Sequence, residues 1–142
     1  MAEIFGIGVD IADIERVAGM RERRGEHFYK LVFTPREREC CLARPHPDEC
    51  LAVRFAAKEA VMKALGTGWA DGVSFTGIEI VGDGGRPEVR LNGGTAAKAA
   101  SLGVGKIHLS LSHASRQAVA YAVAEKLSGD ASPPPASTHG GI

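Results

Sequence analysis

One fifteen-residue segment, LAVRFAAKEAVMKAL at residues 51–65, carries the charged groups best placed to do chemistry. Its non-apolar residues are Arg54, Lys58, Glu59 and Lys63. On a helix, Lys58 falls inside an apolar stripe and Glu59 lies at its edge. Charges on an apolar helix are unfavourable unless they are paired. Three cations around one carboxylate suit a phosphorylated ligand with a bridging metal ion.

A purely structural interpretation of the same helix is also open. Glu59 and Lys63 stand four residues apart and can pair with each other, while Arg54 and Lys58 can extend their charged ends to water. However, Arg54 and Lys58 are like charges four residues apart, which is mildly unfavourable without a nearby anion. The spacing therefore favours an anionic ligand.

Two residues outside this segment join the candidate site. Asp10 ends an apolar run, and with Glu59 it provides two oxygen ligands, the usual protein contribution to a Mg²⁺ site that also uses substrate phosphates and water. His113 ends an alternating run, where it can approach a phosphate or a reacting hydroxyl. Each residue also has an ordinary structural explanation. Asp10 can be a turn or cap residue, and His113 can be a structural histidine at a strand end.

Composition and charge exclude several classes of protein. The 142 residues fit a single domain, and 17 basic residues cancel 17 acidic ones. No global positive field exists that would attract nucleic acid. No apolar run approaches the roughly 20 residues that span a bilayer, and the first residues lack the pattern of a signal peptide. We expect a cytoplasmic protein that binds neither nucleic acid nor membrane.

The three cysteines are Cys40, Cys41 and Cys50. Their number is odd, two are neighbours in sequence, and no CxxC pair occurs. This pattern is unlike a disulfide framework or a zinc site and predicts reduced thiols in or beside a helix.

The helices that must position the candidate residues come early in the chain. A buried strand over residues 4–11 leads into a helix that begins after Asp13. Thr34 is predicted to cap a second helix, with proline in its first turn and glutamate three residues after the cap. A third helix is predicted over residues 48–65, with Gly66 as its C-terminal stop.

The strands come mainly late. Alternating apolar residues around residues 83–85 predict a hairpin, and a short alanine-rich helix is predicted over residues 95–102. A second antiparallel pair is predicted over 107–113 and 118–124. Early helices and late antiparallel strands indicate the α+β class, with helices packed on an antiparallel sheet. We assign residues 1–127 to one domain and predict that the Gly/Pro/Ser-rich tail, residues 128–142, is disordered.

Three segments, taken together, resemble the signature blocks of the holo-acyl-carrier-protein synthases, the small single-domain phosphopantetheinyl transferases. They read GIGVDI at 6–11, RFAAKEA at 54–60 and SLSH at 110–113. Their order and spacing agree over about residues 4–127. The resemblance implies a homotrimer with active sites at subunit interfaces. It also implies Mg²⁺-dependent transfer of 4′-phosphopantetheine from coenzyme A to a serine of apo acyl carrier protein, in support of fatty acid biosynthesis.

The resemblance further implies where metal and partner bind. Mg²⁺ is expected on Asp10 and Glu59. The basic first helix, through Arg16, Met20 and Arg24, is expected to dock the acidic helix of acyl carrier protein.

In the implied reaction, a serine hydroxyl attacks the β-phosphate of coenzyme A and adenosine 3′,5′-bisphosphate leaves. The expected catalytic residues are Asp10, Glu59, Lys63 and His113. Glu59, or a water molecule of the metal site, is the candidate base. Lys63 is expected to offset the charge that grows on the leaving phosphate.

Coenzyme A itself is expected to meet a wider set of residues. Arg54, Lys58, Lys63 and His113 are candidates to hold its phosphates. Gly66 and Gly68 are expected to let the backbone approach the ligand closely.

Two other functions use parts of the same pattern. A Mg²⁺-dependent pyrophosphate hydrolase acting on a nucleotide-type substrate would use the same carboxylates with water as the nucleophile. Such an enzyme needs no protein partner, so the basic first helix would have no function in it. A non-catalytic module that binds a carrier protein would have no use for Asp10 and Glu59 together.

Overall fold

Five helices and five strands make up the part of the chain that the computed structural model describes, residues 3–82 and 85–127. In chain order they are β1 Ile4–Asp13, α1 Ile14–Arg24, α2 Glu26–Val32, α3 Pro35–Leu42, α4 Pro47–Leu65, β2 Ile78–Val81, β3 Glu88–Leu91, α5 Gly93–Ser101, β4 Val104–His113 and β5 Gln117–Lys126. The predicted α+β class is confirmed. The predicted tail lies outside the described residues.

Helix α4 packs directly on a three-stranded antiparallel sheet of order β1-β5-β4. The sheet face that meets α4 is built from the smallest residues. A Cβ on Gly8 would lie 1.9 Å from the carbonyl oxygen of Ala60, and one on Gly6 would lie 2.0 Å from that of Ala64. Because both distances are far below van der Waals contact, glycine at these positions is what lets α4 approach β1.

The ends of the helices follow the predicted chemistry. Thr34 Oγ1 accepts from the Glu37 backbone N–H, and the Glu37 carboxylate accepts from the Thr34 backbone N–H, which completes a capping box at α3. Gly66 ends α4 in the left-handed conformation at φ 78°. Helix α4 begins at Pro47, one residue before the predicted start.

One helix, α2, was not predicted. It has only seven residues and is separated from α1 by Gly25 at φ 51°. Its stability comes from tertiary packing, because the rings of Phe28, Tyr29 and Phe33 form a buried cluster. Such long-range packing leaves little periodic signal in seven residues.

The prediction of reduced thiols is wrong for two of the three cysteines. Cys41 and Cys50 form a disulfide, and Cys40 is free. The short connection between α3 and α4 brings the two Cα atoms within 5.3 Å. Spacing along the sequence did not reveal this approach, which depends on how the two helices pack.

The predicted strand pairs are both present. The β2–β3 hairpin pairs Ile78 with Leu91 and Ile80 with Val89, and its predicted turn at residues 83–84 lies outside the described residues. In β4, the aliphatic residues predicted to be core are half-buried rather than fully enclosed. They are Ile107, Leu109 and Leu111. Among the described residues, no helix has both the length and the apolar content that crossing a membrane requires.

Candidate active site

A cluster of charged groups lies where β1 meets the C-terminal half of α4. Asp10 pairs with Ala120 of β5, so its side chain is on the sheet face that α4 covers. The Nζ of Lys63 donates to Asp10 Oδ1 over 3.1 Å and to the Val9 carbonyl over 2.9 Å. Glu59 precedes Lys63 by one helical turn. The fold therefore brings Asp10 to Lys63 and Glu59, which are far from it in sequence but only one helical turn from each other.

The surroundings of Glu59 include a second carboxylate, that of Asp10. Burial raises the pKa of Glu59 above its ordinary value, and the charge of Asp10 raises it further. The cations Lys63 and Arg16 act in the opposite direction without cancelling the increase. Two carboxylates that repel each other in a half-buried place would be stabilised by a cation between them.

This donor set fits Mg²⁺ in its chemistry. Mg²⁺ usually takes one or two protein carboxylates and completes its octahedron with water and substrate phosphates. Within residues 3–82 and 85–127, no three His, Cys, Asp or Glu side chains gather in a way that could hold a metal ion. In number and type, the carboxylates of Asp10 and Glu59 match the protein ligands that a Mg²⁺ site of this open kind uses.

A second group of predicted residues lines a cavity of about 490 Å³ near the N-terminal half of α4. Arg54 and His113 both border it. Arg54 is buried, and its Nε has no hydrogen-bond partner. His113 is half exposed, with Nδ1 4.0 Å from a carboxylate oxygen of Glu49. A cavity with a buried guanidinium at its wall is suited to an anion.

Lys58 does not belong to either group. Its Nζ donates to Glu37 Oε1 over 2.6 Å and to the carbonyls of Val32 and Phe75 over 2.7 and 2.9 Å. All three donors are used, and the side chain is completely buried. Burial lowers the pKa of Lys58, and Glu37 opposes that change. The predictions that Lys58 holds a phosphate or extends to water are therefore corrected, because α3 closes over it.

Known proteins with similar sequences and folds identify the family. Residues 6–124 match the family model of the 4′-phosphopantetheinyl transferase superfamily. The chain belongs to this superfamily. It is 50% identical over 122 residues to the holo-[acyl-carrier-protein] synthase of Desulforudis audaxviator, and the match covers 85% of this chain and 92% of that relative.

Solved structures of the superfamily share the fold. The holo-[acyl-carrier-protein] synthase of Neisseria meningitidis superposes with a TM-score of 0.81 at 36% identity, over 87% of this chain and all of that one (100%). The synthase of Bacillus anthracis, solved in complex with CoA (3′,5′-ADP), superposes with a TM-score of 0.71 at 35% identity, over 87% of this chain and 97% of that one.

For this transferase family member, the two groups of site residues stand apart within one chain. His113 of β4 and Ala12 of β1 both pair with Ala118 of β5. Asp10 precedes Ala12 by two residues on β1. Two strand spacings separate β1 from β4, which is about 10 Å. The structure does not bring His113 into direct contact with Asp10 or Glu59.

The first helix places its predicted partner-binding residues at four-residue intervals. Arg16 and Arg24 are exposed and Met20 is half-buried. Arg16 is also near enough to the cluster to lower the pKa of Glu59. Arg21, in contrast, is held by Asp48 through a 2.9 Å hydrogen bond from Nε. The exposed basic surface therefore begins beside the carboxylate cluster.

The loop after α4 holds the two predicted glycines. Gly66 and Gly68 have φ of 78° and 57°, which favour glycine, and no heavy atom would obstruct a Cβ on either. The open loop follows Lys63 by three residues.

Two residues that were not predicted line the cavity together with Arg54 and His113. They are Arg44 and His46. Both flank Pro45 directly before α4. Two basic residues just before the start of a helix are the sequence feature that could have indicated an anion-binding role for them.

Proposed function

We propose that this chain is a holo-acyl-carrier-protein synthase. It transfers the 4′-phosphopantetheine group of coenzyme A to a serine of apo acyl carrier protein and releases adenosine 3′,5′-bisphosphate, in support of fatty acid biosynthesis. The observation that carries the proposal is the cluster of Asp10, Glu59 and Lys63, which lies on the scaffold of a superfamily whose relatives bear this name.

Asp10 and Glu59 are the residues that would hold Mg²⁺. When bound, Mg²⁺ supplies charge neutralisation and orientation for the pyrophosphate of coenzyme A. Glu59 is also the candidate base for the proton of the serine hydroxyl, because its carboxylate lies beside Asp10 and Lys63, where the reacting groups are proposed to meet.

Lys63 has two tasks in this proposal. It pairs with Asp10, and its exposed end is free to offset charge on the departing bisphosphate. Because Val9 also accepts from its Nζ, the ammonium is held in a fixed position before substrate arrives. Preorganised charge of this kind is the main contribution of proteins to phosphoryl transfer.

Arg54 and His113 are proposed to hold phosphates of coenzyme A in the 490 Å³ cavity. Gly66 and Gly68 would let the backbone approach the ligand beside Lys63. The described relative from Bacillus anthracis, solved in complex with CoA (3′,5′-ADP), supports coenzyme A as the co-substrate.

The active form is proposed to be a homotrimer. The sheet face away from α4 exposes large apolar side chains that a single chain leaves uncovered, and these are Ile7, Val9, Ile11 and Tyr121. Burying such a face against other copies is favourable. Assembly would also let His113 of one copy lie beside the carboxylate cluster of another, because within one chain His113 does not contact Asp10 or Glu59.

The decisive experiment measures the intact mass of an apo acyl carrier protein after incubation with this protein, coenzyme A and Mg²⁺. A mass increase equal to phosphopantetheine on the carrier is expected, and it should disappear with a carrier whose acceptor serine is alanine. Release of nucleotide without a carrier would instead indicate the pyrophosphate hydrolase. Carrier binding without either product would indicate the non-catalytic module.

Carrier docking is tested separately through Arg16. Arg16→Glu places like charge against the acidic helix of the carrier, and like charges across an interface cost several kcal/mol. Carrier modification should fall by orders of magnitude, and this loss should be sensitive to ionic strength because salt screens the repulsion, while coenzyme A affinity stays unchanged. Arg36→Glu, at an exposed position of α3, is the matched control. Normal carrier kinetics in Arg16→Glu would show that α1 is not the docking helix.

The cytoplasmic location and the disordered tail over residues 128–142 stay predictions.

A further inference from the structure

Outside the carboxylate cluster, two sulfur atoms accept hydrogen bonds from one guanidinium, and a third sulfur is bonded to one of them. Arg54 donates from Nη1 to Cys50 Sγ over 2.9 Å and from Nη2 to Cys40 Sγ over 3.5 Å. Cys50 is bonded to the fully buried Cys41, whereas Cys40 carries a free thiol. The proposed transfer reaction uses none of these sulfurs.

The bonded pair joins two helices at the wall of the cavity. Cys41 lies in the last turn of α3 and Cys50 in the first turn of α4. Their Cα separation of 5.3 Å is within the ordinary range for a disulfide. Cys50 also lines the cavity that Arg54 borders. Cys50 therefore lies at the cavity wall, whereas Cys41 is fully buried.

We propose that Cys41 and Cys50 form a thiol–disulfide switch that sets how strongly the Arg54 cavity holds an anion. In the disulfide, the sulfur beside Arg54 carries no charge, so it does not neutralise the guanidinium, whose positive charge at the cavity wall is available to an anion. In the dithiol, a guanidinium at hydrogen-bond distance stabilises a thiolate on Cys50, and that thiolate competes for the same cation. The disulfide form therefore binds the anion more tightly.

The switch operates by exchange with a low-molecular-weight disulfide, RSSR. The Cys50 thiolate attacks one sulfur of RSSR, one RS⁻ leaves, and a mixed disulfide forms on Cys50. The Cys41 thiolate then attacks the Cys50 sulfur, and the second RS⁻ leaves. One small disulfide is reduced to two thiols while two protein thiols are oxidised, and the two protons from the cysteines end on the two RS⁻ groups. Excess RSH reverses both steps.

The first test counts thiols in the full chain after equilibration with mixtures of reduced and oxidised glutathione. Intact mass after alkylation should show wild type and the matched control Cys40→Ser losing two alkylatable thiols together as the buffer becomes oxidising. Cys41→Ser should instead retain glutathione on Cys50. No paired loss in wild type, or a paired loss that survives in Cys41→Ser, overturns the switch.

The second test measures the binding of adenosine 3′,5′-bisphosphate by calorimetry to the oxidised and reduced chain. The anion is assigned from the proposed function, so this test rests on that proposal. The oxidised form should bind about tenfold more tightly, the effect of one hydrogen bond to a charged group. Equal affinity in both states, with carrier modification intact, overturns the coupling alone. Absence of binding in both states overturns the coupling and the proposed nucleotide site together.

Discussion

The Glu59 carboxyl is unfavourable for the fold and useful for the chemistry. Its pKa is raised, so the folded chain holds a proton on Glu59 more tightly than the unfolded chain does. The unfavourable contribution is absent at pH values below the ordinary glutamate pKa, and it grows as the pH rises through the raised, folded-state pKa. A metal ion between Glu59 and Asp10 would reduce this unfavourable contribution to the stability of the fold.

Replacing this carboxyl separates stability from function. Without Mg²⁺, Glu59→Gln should raise the melting temperature at neutral pH, and the difference from wild type should vanish in acid. The variant should lose stabilisation by Mg²⁺, and carrier modification should fall at least about 100-fold, because even outer-shell partners of metal ligands contribute 10–100-fold. Asp10→Asn should lose Mg²⁺ stabilisation and activity equally. Thermal melts with and without Mg²⁺ check this, with the exposed Glu22→Gln as control.

Wild-type turnover in either variant at modest Mg²⁺ would defeat the two-carboxylate assignment.

Lys58 illustrates what the sequence alone left undecided. The apolar stripe correctly indicated a lysine on a buried face. However, the two interpretations of its charge, phosphate binding and extension to water, both assumed that ligand or solvent can contact the ammonium group. Its partner Glu37 is 21 positions away on another helix. No helical period connects the two residues, so the buried pair emerges only when α3 is packed on α4.

The buried pair makes a prediction about stability. Lys58→Met should cost about 3–5 kcal/mol of unfolding free energy, because it leaves the Glu37 carboxylate buried without its cation. The double variant Lys58→Met with Glu37→Gln should recover part of the loss. Urea unfolding measures both, with the exposed Lys30→Met as control. A marginal loss of stability combined with a large loss of coenzyme A affinity would return Lys58 to the phosphate site.

At the scale of elements, the helix that carries the site depends on its contact with β1. The sequence predicted both elements, the Gly66 stop and the capping box, because each depends on local signals. It did not predict that two glycines of GIGVDI face the α4 backbone. That contact places Asp10 beside Glu59 and Lys63. The sequence offered the pairing of the two carboxylates as a hypothesis, and the resemblance to a family supported it, but neither explained how the two residues meet.

The contact can be tested with a single methyl group. Gly8→Ala would bring its Cβ to 1.9 Å from the Ala60 carbonyl oxygen, so β1 and α4 must move apart. Overpacking of this kind costs about 1–3 kcal/mol. The variant should also lose Mg²⁺ stabilisation, because Asp10 moves with β1. Gly85→Ala, where nothing obstructs a Cβ, is the matched control for stability. An unaltered melting temperature in Gly8→Ala would contradict the close packing.

At the scale of the whole molecule, the outer face of the sheet decides whether one chain is a complete enzyme. Ile7, Ile11 and Tyr121 are each more than half exposed, at 61%, 58% and 52%. Ile7→Glu or Tyr121→Glu should dissociate the proposed trimer, because a charge on a buried apolar interface lacks a partner. Carrier modification should fall with assembly, since His113 and the carboxylates would then lie on separate molecules. Light scattering and activity are measured on the same samples.

Two control variants should leave both assembly and activity unchanged. One is Leu31→Glu, at an exposed apolar residue of α2, and the other is deletion from Ser132 onward. A monomeric Ile7→Glu variant with full activity would show that each chain holds a complete site.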